Sequence, residues 1–243
     1  NYIKFCPKRG GVITNWVSDG NEILYFDEKR FMDKTKSIRG GIPILFPICG
    51  DLNTSSSVFG KDYLQLTQHG FARDLQWQFC FNENEKSLCL FLNESKKTKK
   101  YYPFDFELRI EVILKINCLE FAITIYNKTD IAMPINFGLH PYFNVSDFKN
   151  LEFIDNPLNC HNQEKNTISN TLDELKNINL GVDLLMYTSG ISSFRDKTLK
   201  RQITLNHPYP FNLCVIWSDP TRKMICLEPW TSPRNSFVDG CRN

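Results

Sequence analysis

Apolar and polar residues alternate through much of the chain, which is the pattern expected of β-strands that bury one face. In the segment LQWQFCF the apolar residues Leu75, Trp77, Phe79 and Phe81 occupy every second position. The polar stretch NENEK follows and leads into a second apolar run, SLCLFL. Two runs of this kind around a polar turn predict a β-hairpin.

Two more hairpins are predicted further along the chain. The runs LRIEVILKI and LEFAITIY both alternate, and Asn117 lies between them. Near the end, CVIWS and MICLE flank DPTRK, whose Asp–Pro pair favours a turn. Strands that are joined by short polar turns pair in the antiparallel sense.

Helical spacing is scarce. The best candidate is SNTLDELKNINL, in which Asn170 or Thr171 can cap the helix N-terminus and Glu174 follows in the first turn. A doubly wound α/β fold would need regular helices between its strands, so the pattern predicts an all-β fold, built as an antiparallel sandwich or barrel. We expect residues 1–243 to form a single domain, with the last few residues disordered.

Composition supports one large core and restricts the class of ligand. Of the 243 residues, 42% are hydrophobic and nineteen are Phe, which is ample apolar area to bury. The formal net charge is only +2 and the charges are mixed, so we expect no nucleic-acid partner. We interpret the basic run KKTKK, residues 96–100, as a solvated loop rather than a phosphate or RNA site. No run of about eighteen apolar residues occurs, so we expect no membrane partner.

The cysteines indicate a reducing compartment. There are nine, with no C-x-x-C pair and none near a His at zinc-ligand spacing, so the sequence predicts neither a disulfide framework nor a metal site. Cys80, Cys89, Cys214 and Cys226 lie inside apolar runs, where a free thiol behaves as a small hydrophobic group. We therefore expect reduced, mostly buried thiols and a cytoplasmic location.

Four segments combine Gly or Pro with polar residues in apolar surroundings, and chemistry is expected there. They are RGGIPILFPICG, TQHGFARDLQW, NFGLHPYFNV and CLEPWTSPRNSF. The alternative is that their glycines and prolines only shape buried turns.

His140 and Glu228 are the candidates for acid–base catalysis. Each follows an apolar run and precedes a proline, which predicts that a strand ends there and presents the side chain at the mouth of a sheet. Apolar neighbours at such a position can raise the pKa of a carboxyl group. His207 also precedes a proline, so nothing local separates it from His140, and both His207 and His161 stay open as alternatives.

Five phrases resemble the aldose 1-epimerases, most closely the branch similar to hexose-6-phosphate mutarotases. They are RGGIPILFP, QHGFAR, YPFDFELRIEVIL, NFGLHPYFNV and EPW, in this order between Arg39 and Arg234. The resemblance implies a galactose mutarotase-like fold, which is a large antiparallel β-sandwich with the sugar site in a cleft on one sheet. It also implies interconversion of the α and β anomers of a hexose, with a small-molecule sugar or sugar phosphate as the partner.

The resemblance assigns roles by position. It implies that His140 is the general acid that protonates the ring oxygen, and that Glu228 is the general base that accepts the proton of the anomeric hydroxyl. It implies that the residues which bind the substrate are His69, Gln68, Arg39, Arg73 and Asp183, with Trp77 and Trp230 as cleft walls.

Arg39 and Arg73 resemble the phosphate ligands of the phosphate-using branch, and a guanidinium group suits paired phosphate oxygens. The alternative is that they form ion pairs with acids such as Asp51 or Asp74. The stretch TSPRNSF departs from that branch, so the reaction carries over more directly than the substrate.

Mutarotation needs one acid and one base that exchange roles, so we expect neither a cofactor nor a metal. The sequence has no G-x-G-x-x-G stretch and no P-loop, which agrees with this expectation. Three alternatives stay open: a non-catalytic carbohydrate-binding sandwich, a mutarotase for a neutral hexose, and a sandwich enzyme that acts on another sugar linkage. A glycosidase would need two carboxylates, and only Glu228 stands out.

Overall fold

The computed structural model describes residues 1–52, 66–82, 84 and 86–239, which are mostly β-strand and irregular loop. The strands are β1 (Tyr2–Cys6), β2 (Val12–Ser18), β3 (Asn21–Glu22), β4 (Ile44–Leu45), β5 (Gln78–Asn82), β6 (Ser87–Asn93), β7 (Phe106–Lys115), β8 (Cys118–Asn127), β9 (Gly138–Leu139), β10 (Tyr142–Asn144), β11 (Leu151–Ile154), β12 (Asn159–Asn162), β13 (Thr167–Asn170), β14 (Val182–Tyr187), β15 (Ile191–Asp196), β16 (Arg201–Asn206), β17 (Leu213–Ser218) and β18 (Met224–Trp230). The short helices are α1 (Glu28–Met32), α2 (Lys96–Lys99), α3 (Thr171–Leu175) and α4 (Ser236–Asp239). None of the helices in the described ranges has the length and apolar character needed to cross a membrane. The expected disorder of the last few residues concerns 240–243, which lie outside the described residues.

The predicted hairpins are present. β5 pairs with β6, β7 with β8 and β17 with β18, all in the antiparallel sense. The predicted helix is also present but is limited to α3, where the Asn170 side chain caps the N-terminus by accepting a hydrogen bond from the backbone N–H of Asp173. The all-β antiparallel fold class is therefore confirmed.

The chain divides into two compact units, and the expectation of a single domain stays a prediction. The first unit comprises the described residues within Asn1–Glu22, Pro43–Phe137 and Arg234–Arg242. It contains the sheet β1-β2-β3 and the sheet β5-β6-β7-β8. Alternate residues of β6 and β7 are buried and form its core, such as Leu90, which is 1% exposed, and Ile110, which is 0% exposed.

Two expectations about the first unit are wrong. Cys80 is exposed, as are its neighbours Phe79 and Phe81, because β5 is an edge strand of its sheet. The run of residues 96–100 is not a loop but contains α2. A capping box starts this helix, in which the Ser95 side chain accepts from the backbone N–H of Thr98 and the Thr98 side chain accepts from the backbone N–H of Ser95.

The second unit comprises Ile23–Ile42 and Gly138–Pro233. One of its sheets has the order β13-β12-β14-β17-β18-β9, and β10 also pairs with β18. A second sheet has the order β11-β15-β16. On one face of the larger sheet, Leu184, Ile216 and Leu227 form a cross-strand row that is at most 1% exposed. The opposite face of the same sheet carries the polar residues described next.

Candidate active site

The strand register brings His140 opposite Glu228. β18 pairs with β9 at Trp230 and with β10 at Cys226. His140 lies between β9 and β10, and Glu228 lies midway between the two paired positions of β18. Opposed residues share one face of an antiparallel pair, so these side chains meet although they are far apart in the sequence.

His140 and Glu228 are in direct contact and nearly buried. His140 Nδ1 lies 3.3 Å from Glu228 Oε1, and the two side chains are 7% and 2% exposed. The Trp230 indole N–H donates to Glu228 Oε2 at 3.2 Å, and the Tyr142 hydroxyl lies 3.3 Å from His140 Nε2. The structure places the two side chains against each other because the register makes them immediate neighbours.

The prediction of a strand end is correct for His140 and wrong for Glu228. β9 ends at Leu139, directly before His140, whereas β18 continues through Pro229 to Trp230. Pro229 keeps its place opposite Cys214 of β17, and it is accommodated because the chain on its other side is interrupted between β9 and β10.

A cross-strand row of side chains adjoins the pair. Asp183 opposes Trp217, Trp217 opposes Cys226, and Cys226 opposes Tyr142. The Tyr142 ring stacks on the His140 ring with centroids 4.5 Å apart and planes 5° apart, and the Trp217 ring meets the His140 ring edge-on at 6.2 Å. Burial raises the pKa of Tyr142 well above its usual value, so its hydroxyl keeps its proton near neutrality.

Arg39 covers this row. Its guanidinium carbon lies 5.0 Å from the centre of the Trp217 ring, a cation–π arrangement. The backbone carbonyl of Arg39 accepts from the N–H of Asp27 at 3.0 Å. Gly40 must be a glycine here, because its φ is +130° and a Cβ would lie 2.5 Å from the Cα of Phe26. The double glycine therefore shapes a close backbone approach that positions Arg39.

Asp183 lies on the same face of the sheet. It is half-buried, and its Oδ1 accepts a hydrogen bond from the Gln163 side chain at 2.6 Å. The structure thus brings together four of the predicted residues, all in the second unit: His140, Glu228, Arg39 and Asp183.

The other predicted residues lie in the first unit. His69 is 7% exposed with φ +65°, and its Nδ1 accepts from the backbone N–H of Gly50 at 3.0 Å. This bond fixes the neutral tautomer that carries the proton on Nε2. Gln68 is exposed. Trp77 is 2% exposed and donates to the carbonyl of Ala72, so it lies in the core of this unit, and its assignment as a cleft wall stays a prediction.

Arg73 lies next to Asp74, as in the alternative in which it forms an ion pair with a nearby acid. It is 7% exposed, its Nη2 donates to the carbonyl of Gln68 at 2.7 Å, and its Nε lies 3.7 Å from Asp74 Oδ2. Asp51 pairs instead with Arg234, at 3.7 Å. The convergence of Arg39 and Arg73 on one phosphate stays a prediction.

Comparison with known proteins decides the family. A family model described as aldose 1-epimerase matches residues 5–232. The chain belongs to the aldose 1-epimerase family. This family membership places it among isomerases.

One relative and two solved structures illustrate what the chain is similar to. A relative from Cenchrus ciliaris named "Putative glucose-6-phosphate 1-epimerase" is 30% identical over 167 residues, which is 60% of this chain and 47% of that protein. The crystal structure of the Slr1438 protein from Synechocystis sp. PCC 6803 is 32% identical with a TM-score of 0.92, over 98% of this chain and 84% of that one. A galactose mutarotase-like protein from Lactobacillus casei is 21% identical with a TM-score of 0.78, over 97% and 89% of the two chains. The galactose mutarotase-like fold expected from the resemblance is confirmed.

The two histidines that were left open as alternatives, His207 and His161, have hydrogen-bond partners away from the acid–base pair. His207 is 4% exposed, with its Nδ1 2.7 Å from the carbonyl of Phe211 and its Nε2 3.0 Å from the hydroxyl of Ser192. His161 lies 3.0 Å from the side chain of Asn166. Their surroundings differ from those of His140, which contacts a buried carboxylate.

Sequence reasoning missed three residues that contact or adjoin the pair: Tyr142, Trp217 and Cys226. Tyr142 stands two positions after His140, and alternation in a strand could have placed the two side chains on one face. Cys226 Sγ, a ring nitrogen of His140 and a carboxylate oxygen of Glu228 all lie within 4.8 Å of one another. In the described part of the chain this is the one such group with the residue types that bind metal ions. Spacing along the sequence could not reveal it, because its members meet only through strand pairing.

Proposed function

We propose that this protein catalyses the interconversion of the α and β anomers of a hexose 6-phosphate, with Glu228 as general base and His140 as general acid. The observation that carries the proposal is the buried contact of His140 Nδ1 with Glu228 Oε1 at 3.3 Å. The family membership supports the reaction type, and the name of the Cenchrus ciliaris relative supports the substrate class.

The adjacency of the pair suits the chemistry of ring opening. The anomeric hydroxyl and the ring oxygen are bonded to the same carbon, so a base and an acid that act on them must lie side by side. Glu228 accepts the proton of the anomeric hydroxyl while His140 donates a proton to the ring oxygen, and the C1–O5 bond breaks to leave the open aldehyde. Rotation about C1–C2 followed by the reverse transfers closes the ring as the other anomer.

The neighbouring residues support these roles. The Trp230 N–H holds one carboxylate oxygen, which leaves Oε1 as the atom that exchanges its His140 contact for the substrate hydroxyl. Stacking of Tyr142 on His140 fixes the plane of the imidazole ring. Acid–base groups that are held in this way contribute about 10²–10⁴-fold each to a rate.

The reaction is tested by NMR exchange between the anomeric protons of glucose 6-phosphate, after subtraction of the spontaneous rate. We expect His140→Ala and Glu228→Gln each to lower the enzymatic rate by about 100-fold or more. The matched controls are His207→Asn and Glu174→Gln, which alter buried groups outside the pair and should stay within a few-fold of the parent. Parent-like rates in both site variants would refute the assignment.

Arg39 is the residue of this site that we assign to the phosphate group. Its guanidinium lies on Trp217 beside the acid–base pair, and it is half-buried. Arg39→Gln should raise KM for glucose 6-phosphate at least ten-fold more than KM for glucose, because only the phosphate carries charge. An equal change for both sugars, or a preference of the parent protein for glucose, would identify a neutral-hexose mutarotase instead.

A further inference from the structure

We propose that His140, Cys226 and Glu228 form a binding site for Zn²⁺, and that the bound ion inhibits the reaction by occupying the acid–base pair. The inhibitory part of this inference rests on the proposed function. The binding part rests only on the geometry of the three side chains.

Strand pairing places the three donors on one face of the sheet. Cys226 and Glu228 are alternate residues of β18, so their side chains point to the same side. His140 opposes Glu228 across the break between β9 and β10. One ligand atom from each residue lies within 4.8 Å of the other two. The residues are 5%, 0% and 2% exposed in the order His140, Cys226, Glu228, so the site is removed from bulk water.

The donor set is one that zinc prefers. Zn²⁺ takes imidazole nitrogen, thiolate sulfur and carboxylate oxygen, with bonds of about 2.0–2.3 Å in tetrahedral geometry. Those bond lengths separate two ligands of one ion by about 3.3–3.6 Å. His140 Nδ1 and Glu228 Oε1 are already 3.3 Å apart, so a shift of about 1 Å in the thiol would complete three ligands.

The charges of the ligands match those of the ion. On binding, the Cys226 thiol releases its proton to solvent as the Zn–S bond forms, and thiolate and carboxylate together neutralise Zn²⁺. A buried carboxylate next to an imidazole gains a partner of full opposite charge. The fourth position of the tetrahedron remains for water.

Outer contacts orient two of the ligands, as is usual at protein zinc sites. The Trp230 N–H donates to Glu228 Oε2 at 3.2 Å, and the Tyr142 hydroxyl lies 3.3 Å from His140 Nε2. Met224 adds a second sulfur, since Cys226 Sγ lies 3.9 Å from Met224 Sδ. The thiolate of Cys226 is a soft ligand, and soft ligands select Zn²⁺ over hard ions such as Mg²⁺.

Binding is tested first without any activity measurement. Co²⁺ serves as the spectroscopic probe, because a thiolate ligand gives a charge-transfer absorption in the near ultraviolet. The parent protein and its Cys214→Ser variant should both show this absorption and lose it on addition of Zn²⁺. Cys214 is the matched control, since it is fully buried on the adjacent strand β17 but on the opposite face of the sheet.

The Cys226→Ser variant should lose the absorption and bind Zn²⁺ at least ten-fold more weakly by calorimetry. In the exchange assay, Zn²⁺ should inhibit the parent and Cys214→Ser reversibly, with activity restored by EDTA. Inhibition of Cys226→Ser, relative to its own zinc-free rate, should need at least ten-fold more Zn²⁺.

The outcomes separate the two proposals. Absence of the thiolate absorption in the parent protein, or equal Zn²⁺ affinity of the parent and Cys226→Ser, overturns the metal site. Zinc binding that leaves the epimerisation rate unchanged overturns the inhibitory part. Zinc binding by a protein that epimerises no hexose supports the metal site and refutes the proposed function.

Discussion

Replacement of Glu228 by Gln should inactivate the protein and yet make it more stable. Glu228 is 2% exposed, and removing an ionised carboxylate from water costs several kcal/mol even after relaxation. Its polar contacts with Trp230 and His140 are worth about 1.5–3 kcal/mol each to a charged acceptor and about 0.5–1.5 kcal/mol each to a neutral amide. The loss of about 2–3 kcal/mol from these contacts is therefore outweighed by the relief of desolvation.

The net gain is expected to be about 1–2 kcal/mol in the free energy of unfolding, or about 2–8 °C in Tm for a chain of this size. The measurement is urea unfolding at pH 7, together with the anomeric exchange rate of the same preparation. A catalytic group that is held at the expense of stability gives this combination of higher Tm and lower rate.

Glu174→Gln is the matched control, for which we expect a loss of stability rather than a gain. Glu174 is 7% exposed, accepts from the Asn162 side chain at 2.9 Å and lies 3.0 Å from Lys165 Nζ. The hydrogen bond from Lys165 lowers the pKa of Glu174, so the fold favours its charged form and the amide should reduce stability by about 1 kcal/mol. If Glu228→Gln reduced stability as much as this control, the buried pair would be net stabilising and our reasoning about desolvation would be refuted.

Three further predictions concern stability. Burial lowers the pKa of His207 despite its bond to Phe211, so the folded state binds fewer protons than the unfolded state. The free energy of unfolding should therefore fall as the pH drops below about 6.5. Urea titrations at pH 5–7 should show this slope in the parent but not in His207→Asn. Burial raises the pKa of Asp196, but hydrogen bonds from backbone N–H groups and a hydroxyl lower this pKa overall. The stabilisation by Asp196 should therefore disappear as the pH falls through the lowered value, below about 3.9. Asp196→Asn should cost about 2–3 kcal/mol at pH 7, measured by urea unfolding. Gly70→Ala should lower Tm by several degrees in a thermal melt, because φ is +71° and a Cβ would lie 2.1 Å from the carbonyl oxygen of Phe46; a parent-like Tm would show that the loop relaxes freely.

Local sequence patterns predicted the local structure well. Alternation identified the three hairpins, and the cap by Asn170 marked the start of α3, because both depend on residues within a few positions of one another. Alternation could not say whether either face of an edge strand is covered. Phe79 and Phe81 share a face as predicted, but they are 47% and 62% exposed because β5 is the edge of its sheet.

The candidate site was only partly predictable. A proline after His140 and after Glu228 singled out both residues, yet it gave the wrong strand boundary at Glu228 because the break that accommodates Pro229 lies in a different segment of the chain. The role of Arg73 was assigned from a resemblance alone. Its hydrogen bond to Gln68 and its contact with Asp74 come from the short turn that contains all three residues, and the same spacing could have favoured that alternative from the start.

The two faces of one sheet explain why the site needs the whole second unit. On β17 and β18 the residues Ile216 and Leu227 point to the apolar face, and their immediate neighbours Trp217 and Glu228 point to the opposite face. A slip of one residue in the pairing would exchange the two faces and bury the carboxylate among aliphatic side chains. The rows of apolar residues that hold the register therefore also hold His140 against Glu228, so that mutations which loosen this packing should lower activity before they unfold the chain.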